Sequence, residues 1–246
     1  MRTFFFSFFA VLINLSCISQ EHKLIHVSKD IELTRLTRNA FVHVSYVNDL
    51  KYGRFSSNGF LYISNGKAFL FDTPVNDSLT KELLTWIYDS LKVEIVGFVP
   101  NHWHSDCMGG LSYIKEQGIN SFGNQMTIDI ARSKGLPFPS NGFNDSLTLT
   151  LGDKEVCCYY LGAAHSTDNI VVWIPSEKIL FPGCMCKDLN TNGLGNVIDG
   201  NLADYPKTIE KIIVKFDSAK VVVPGHGQIG GVELLKHTME LLLKEY

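Results

Sequence analysis

Two stretches of this chain end alike. "EIVGFVPNHWH" at 94–104 and "AKVVVPGHG" at 219–227 each carry an apolar, β-branched run that stops at a proline and then presents a histidine. A short apolar run closed by turn residues reads as a buried strand. Further strand-like and helical segments surround both runs. A chain that passes through strands and then helix twice over is expected to fold as two αβ halves packed sheet to sheet. With 246 residues, 45% of them hydrophobic, it has enough material for a sizeable core.

In the first half, "IELTRLT", "AFVHVSYV", "GFLYIS" and "KAFLFDT" are rich in β-branched and aromatic residues and read as strands. "SNGF" and "SNGK" carry Asn-Gly turn signals. Leu79, Leu83, Leu84, Ile87 and Leu91 recur at helical spacing, and further helices are predicted from Met108 to Gln117 and from Gln125 to Lys134. In the second half, "SLTLTL", "EVCCYYLG", "NIVVWIP" and "KILFPG" read as strands. "LADYPKTIEKIIVKF", with Pro206 in its first turn, and the closing "VELLKHTMELLLKEY" read as helices.

The N-terminus departs from this plan. One arginine precedes an apolar run from Phe4 to Ile13, too short for a mature membrane span and shaped like a secretory signal. Residues 1–17 are therefore expected to be a signal peptide, leaving 18–246 as a single domain outside the cytosol, in the periplasm. Cys17 stands where a lipoprotein signal places its lipidated cysteine, so it is a candidate lipid anchor; otherwise cleavage nearby releases a soluble protein. The other cysteines, Cys107, Cys157, Cys158, Cys184 and Cys186, do not suggest a dense disulfide framework. Cys157 and Cys158 are adjacent on a strand-like run and point to opposite faces. The net charge of −3 gives no sign of a nucleic-acid partner. No protein partner is evident, and a monomer is expected.

The chemistry gathers at the strand ends. His102 and His104 lie at i and i+2 just past a strand, with Asp106 two residues further on. His165 lies in "LGAAHSTDN", Cys184 in "FPGCMCKD" and His226 in "VVPGHG". Each opens a loop after an apolar strand, where α/β architectures place functional residues. Taken singly, any of them reads as a satisfied core histidine or an inert thiol. Together they are the imidazole, thiolate and carboxylate donors that zinc prefers.

These motifs, "HWHSD", "GAAHSTDN", "GCMCKD" and "PGHG" in this order, resemble those of the class B, subclass 1 metallo-β-lactamases, most closely the type found in Bacteroides-like bacteria. The resemblance takes in "LFDTPVND" and "NQMTIDIARSKGLP" and spans nearly the whole chain after the signal. It implies an αββα sandwich, with two mixed β-sheets face to face and helices outside. It also implies two zinc ions per chain, the first held by His102, His104 and His165, the second by Asp106, Cys184 and His226. The wider superfamily carries histidine where Cys107 stands, and the resemblance to the Bacteroides-like type places Cys107 beside the ligands rather than among them. The implied reaction is hydrolysis of the β-lactam ring amide in penicillins, cephalosporins and carbapenems by metal-activated water, which confers antibiotic resistance. Asp106 would orient that water, Asn196 would donate to the developing oxyanion, and Lys187 would bind the substrate carboxylate.

"VNDLKYGRFSSNG" is expected to form a mobile hairpin over the site, with Tyr52 either covering bound substrate or serving as an ordinary loop tyrosine. Asp72 and Asp168 are expected to brace ligand histidines or loops, although Asp168 also suits a turn. The rivals are a thioesterase or phosphodiesterase of the same fold and a non-catalytic zinc-binding lipoprotein. The first two normally need histidine after the motif aspartate and a bridging aspartate in place of Cys184. Against the third, three ligands per metal leave open positions that a structural site would close.

Overall fold

The computed structural model describes residues 23–50 and 53–244. The expected signal, Cys17 and Tyr52 lie outside the described residues.

The first sheet has eight strands in chain order: β1 (Lys23–His26), β2 (Ile31–Arg35), β3 (Ala40–Asp49), β4 (Gly53–Ser64), β5 (Lys67–Phe71), β6 (Glu94–Val99), β7 (Asn120–Asn124) and β8 (Asn141–Phe143). Helix α1 (Asp77–Trp86) continues into a wider turn at Ile87–Leu91 and connects β5 to β6. Helices α2 (Ser105–Met108) and α3 (Leu111–Glu116) follow β6, and α4 (Gln125–Ser133) follows β7. The second sheet runs β13-β12-β11-β10-β9, from β9 (Ser146–Leu151), β10 (Lys154–Tyr159), β11 (Val171–Ile174), β12 (Ile179–Gly183) and β13 (Val221–Pro224). Helices α5 (Tyr205–Lys215) and α6 (Glu233–Lys244) flank β13 in sequence.

Strand alternation divides the apolar residues into three layers. Phe60, Tyr62, Phe69 and Phe71 of the first sheet meet Val156, Cys158, Val172 and Phe181 of the second. The Phe60 and Phe181 rings stack across this gap at 6.1 Å. The alternate residues Leu61, Ala68 and Leu70 face outward to Leu83 and Ile87 around α1 and to Leu111 and Ile114 of α3. On the far side, Val171, Leu180 and Val222 pack against Tyr205, Ile209 and Ile212 of α5 and Leu234, Leu235 and Leu242 of α6. The result is the expected αββα sandwich. Cys158 lies in the inter-sheet layer, whereas Cys157 on the other face meets the Thr148 hydroxyl. All five described cysteines are free thiols.

Strand direction sets up the site. Most neighbours are antiparallel, but β5 and β6 run parallel with Phe71 opposite Val99, and β12 and β13 run parallel with Gly183 opposite Pro224. Parallel neighbours end at the same edge, so Asp72 leaves the sheet beside Asn101, and Cys184 leaves it beside Gly225.

Two expectations are corrected. Asn65-Gly66 makes the turn between β4 and β5, with both residues at positive φ, but Asn58-Gly59 lies inside β4. A side chain at Gly59 would collide with the His43 ring and the Phe71 carbonyl. Asn58 reaches across to the second sheet instead. Its backbone N–H donates to Gly225 O, and its side-chain amide donates to Pro224 O and Gly227 O at 2.9 and 3.0 Å. The helix expected over Met108–Gln117 is two short helices broken at Gly109–Gly110, where added side chains would overlap the Val75 backbone and Thr80.

Asn58 thus holds the loop that carries His226. Asn58→Ala strands buried carbonyls and is expected to cost about 1–3 kcal/mol of stability. It should also weaken metal binding through His226. Denaturant unfolding alongside metal titration measures both; unchanged values for both would show that this cross-sheet grip is unimportant.

Candidate metal centre

The six expected ligands come from four strand ends at one edge of the sandwich. His102 and His104 lie in the loop after β6, and Asp106 sits in the first turn of α2. His165 lies between β10 and β11, Cys184 directly after β12, and His226 shortly after β13. The backbones at this edge approach so closely that a side chain at Gly225 would overlap Cys184.

The donor atoms fall into two groups. Those of His102, His104 and His165 all lie within 4.8 Å of one another, as do those of Asp106, Cys184 and His226. His102 Nε2 faces His104 Nδ1 at 2.9 Å, and the His165 ring stands edge-on to both. Cys184 Sγ lies 3.5 Å from Asp106 Oδ2 and 3.4 Å from His226 Nε2, and these last two atoms are 3.2 Å apart. A third, overlapping group joins His102, Cys107 and Cys184.

Outer contacts aim the rings. His226 Nδ1 donates to the Ser56 carbonyl at 2.7 Å, which leaves Nε2 to face Cys184 and Asp106. His104 Nε2 bonds Asp199 Oδ2 at 3.0 Å, which frees Nδ1 toward His102. Cys107 Sγ lies 3.2 Å from His102 Nδ1. The His165 Nδ1 is buried with no hydrogen-bond partner. Such outer partners fix the tautomer and orientation of ligating histidines.

The electrostatics suit a cation. Burial holds His102 down to about 3 and His165 well below the usual histidine value, so both are neutral and able to ligate. Burial alone would raise Asp106, but the His226 hydrogen bond, helped by the imidazoles around it, outweighs it and keeps the carboxylate ionised. Hydrogen bonding with Cys107 leads in lowering Cys184 to about 6, against burial and with help from His226. Burial pushes Cys107 well up, so of the two facing thiols Cys184 is the thiolate. Burial lowers His226, yet Cys184 and Asp106 more than reverse this and hold it well above its ordinary value. Two anions and an imidazole would thus share a proton where a divalent metal fits better. The donor types are those zinc takes, and the residues present fit two such ions.

A cavity of about 850 Å³ opens over both groups. His104, Asp106, His165 and His226 face it, as do Lys187 and Asn196, while Phe55, Trp103, Leu136 and Pro137 form an apolar wall. Lys187 Nζ donates to the Cys184 carbonyl at 2.8 Å, and Asn196 accepts weakly from Ile198 N at 3.4 Å. Asp72, at φ 57°, accepts the Asn101 N–H and braces the start of the histidine loop. Asp168 accepts the Trp103 N–H at 3.0 Å and the Thr127 hydroxyl at 2.7 Å, so it anchors the loop backbone rather than a histidine ring. Sequence reasoning missed Asp199, 95 positions from His104 in a stretch without periodicity. It also missed the Ser56 carbonyl, because any residue type supplies one.

An αββα sandwich that gathers three imidazoles and an Asp–Cys–His set at one edge defines a metal-binding protein of the sandwich-fold hydrolase class. No protein-family model matches the chain. A metallo-β-lactamase type 2 of Bacteroides fragilis is 48% identical over 220 residues, covering 89% of this chain and 88% of that protein. One from Bacillus cereus is 33% identical over 228 residues, covering 90% and 87%. The solved structure of a metallo-β-lactamase from Pontibacter korlensis superposes with a TM-score of 0.83 at 35% identity, covering 87% of this chain and 99% of its own. The chain belongs to the metallo-β-lactamase family.

Proposed function

We propose that this protein hydrolyses the amide of the β-lactam ring, using two zinc ions held by His102, His104 and His165 and by Asp106, Cys184 and His226. The observation that carries this reading is the pair of donor groups that each turn two members, His104 and His165 or Asp106 and His226, into one substrate-sized cavity, in a chain of this family. When bound, zinc supplies a Lewis acid and brings the pKa of water from roughly 15.7 to about 7. The chain's own residues do the rest. Asp106, ionised and facing the cavity, orients the attacking water. Asn196 donates its amide N–H to the carbonyl oxygen as negative charge develops there. Lys187 has three protons and spends one on the Cys184 carbonyl, which leaves two for the carboxylate of the substrate. The Trp103, Leu136 and Pro137 wall covers apolar substituents and limits water.

Water is the nucleophile in this reading, so no covalent acyl-enzyme forms for a carbapenem to stall. Penicillins, cephalosporins and carbapenems all fall within the proposed range, and resistance to them follows if the protein is exported. Export to the periplasm is part of the proposal, supported by the apolar run Phe4–Ile13 and, for an anchored form, by Cys17. Fractionation of native cells tests it; an unprocessed cytosolic product would refute it.

Lys187→Ala is expected to raise KM about 10- to 100-fold, the worth of a charge-assisted hydrogen bond, with a smaller effect on kcat. The contact with substrate carboxylate is present in ground state and transition state alike. Steady-state kinetics on a cephalosporin decide it. A collapse in kcat at unchanged KM would mean that Lys187 acts on the site, through the Cys184 carbonyl, rather than on substrate.

A further inference from the structure

We propose that Cys107 and Cys184 together form a buried two-thiolate site for a thiophilic monovalent ion of the copper(I) class, one that competes with the Asp106–Cys184–His226 set for Cys184. The sulfurs and the His102 donor nitrogen all lie within 4.8 Å of one another, and the three residues are 1%, 2% and 0% exposed. Cys107 has no counterpart in the function proposed above, yet its Sγ is held 3.2 Å from His102 Nδ1 and turned toward the second thiol.

The donor set selects the ion. Two soft sulfurs suit copper(I), which accepts low coordination, whereas zinc seeks four donors. The Asp72 carboxylate accepts the Asn101 N–H and also hydrogen-bonds the Cys107 side chain, but it is not among the donors gathered with the two sulfurs and His102. His102 stays as the positioning group, with Nδ1 toward Cys107 and Nε2 toward His104, so the three-histidine set is left intact. Cys184 is the hinge between the buried pair and the cavity, since its sulfur also faces Asp106 and His226, which line that cavity. In the zinc-loaded protein an ion arriving through the cavity would take the Cys184 thiolate from the second zinc, which leaves to solvent, and would displace the Cys107 proton to solvent as it forms a second metal–sulfur bond, with no change of oxidation state.

The proposal shares Cys184 with the zinc assignment but does not require hydrolysis. The test is an anaerobic titration of the zinc-loaded protein with copper(I) buffered by bicinchoninate. One copper(I) is expected per chain, with release of about one zinc, and X-ray absorption at the copper edge should show two sulfur neighbours. Cys107→Ser and Cys107→Ala should each weaken copper(I) binding by about two orders of magnitude and reduce the sulfur count to one. Zinc retained by the three histidines in these variants reports that they fold. Cys186→Ser should change nothing, since that thiol is buried against Thr238 on the far side. Copper(I) held as tightly by both Cys107 variants, or a single sulfur neighbour in the unmodified protein, would overturn the proposal. A Cys184→Ser protein that still holds two zincs would instead overturn the zinc assignment.

Discussion

Asp106→Asn is expected to lower kcat about 10²-fold or more, the cost of misplacing the reacting water. Asparagine keeps the shape of the side chain and removes its charge. That charge is what the site is built to hold. Asp106 stays ionised although buried, because His226, His102 and His104 surround it, and its Oδ2 lies within 3.5 Å of both the Cys184 sulfur and the His226 nitrogen. In the function proposed above, its loss would remove a ligand of the second ion and the group that orients water. Kinetics and metal analysis on the same sample separate these effects. A variant that keeps two metals and retains activity within about tenfold would show that Asp106 is not needed to orient the reacting water.

Cys184→Ser should weaken the second metal by about two orders of magnitude or more while the three-histidine site stays filled. A serine hydroxyl is a poor ligand at neutral pH, whereas the Cys184 sulfur is held down to about 6, by hydrogen bonding with Cys107 first. Cys107→Ser is the matched comparison. Its thiol is pushed well up by burial and faces the His102 Nδ1 rather than the cavity, so both zincs and most activity should survive. Equilibrium dialysis against zinc reads out both variants. A one-zinc protein after Cys107→Ser, with two zincs after Cys184→Ser, would mean that the roles of the two cysteines are exchanged.

The sandwich was legible because its signals are local and periodic. Buried strands that end in Pro-x-His, and leucines at helical spacing before Ile87, announce themselves within a window of a dozen residues. The donor groups were legible because each histidine, cysteine or aspartate opens a loop after such a strand, and their order carried the family resemblance. What stayed hidden depends on contacts across the fold. Asn58-Gly59 reads as a turn, yet the pair lies mid-strand, because Asn58 reaches the His226 loop and Gly59 leaves room for His43. Gly109–Gly110 breaks a helix because Val75 and Thr80 press against it from another segment. Asp199 meets His104 only after the chain has folded back. Asp168 was expected to brace a ligand histidine or a loop, or to make a turn; it does brace the histidine loop through the Trp103 N–H, while its second partner, the Thr127 hydroxyl on α4, lay beyond reach of the sequence.

The most direct measurement is a zinc titration of the chelator-stripped protein, with metal content and hydrolysis of a cephalosporin and a carbapenem followed together. Stripped protein should be inactive toward both. Ring opening should return as zinc binds and level off at two ions per chain, and inhibitors that trap an active-site serine should leave it unaffected. A stripped protein that still opens either ring, or a fully zinc-loaded protein that opens neither, would contradict zinc-dependent β-lactam hydrolysis at this site.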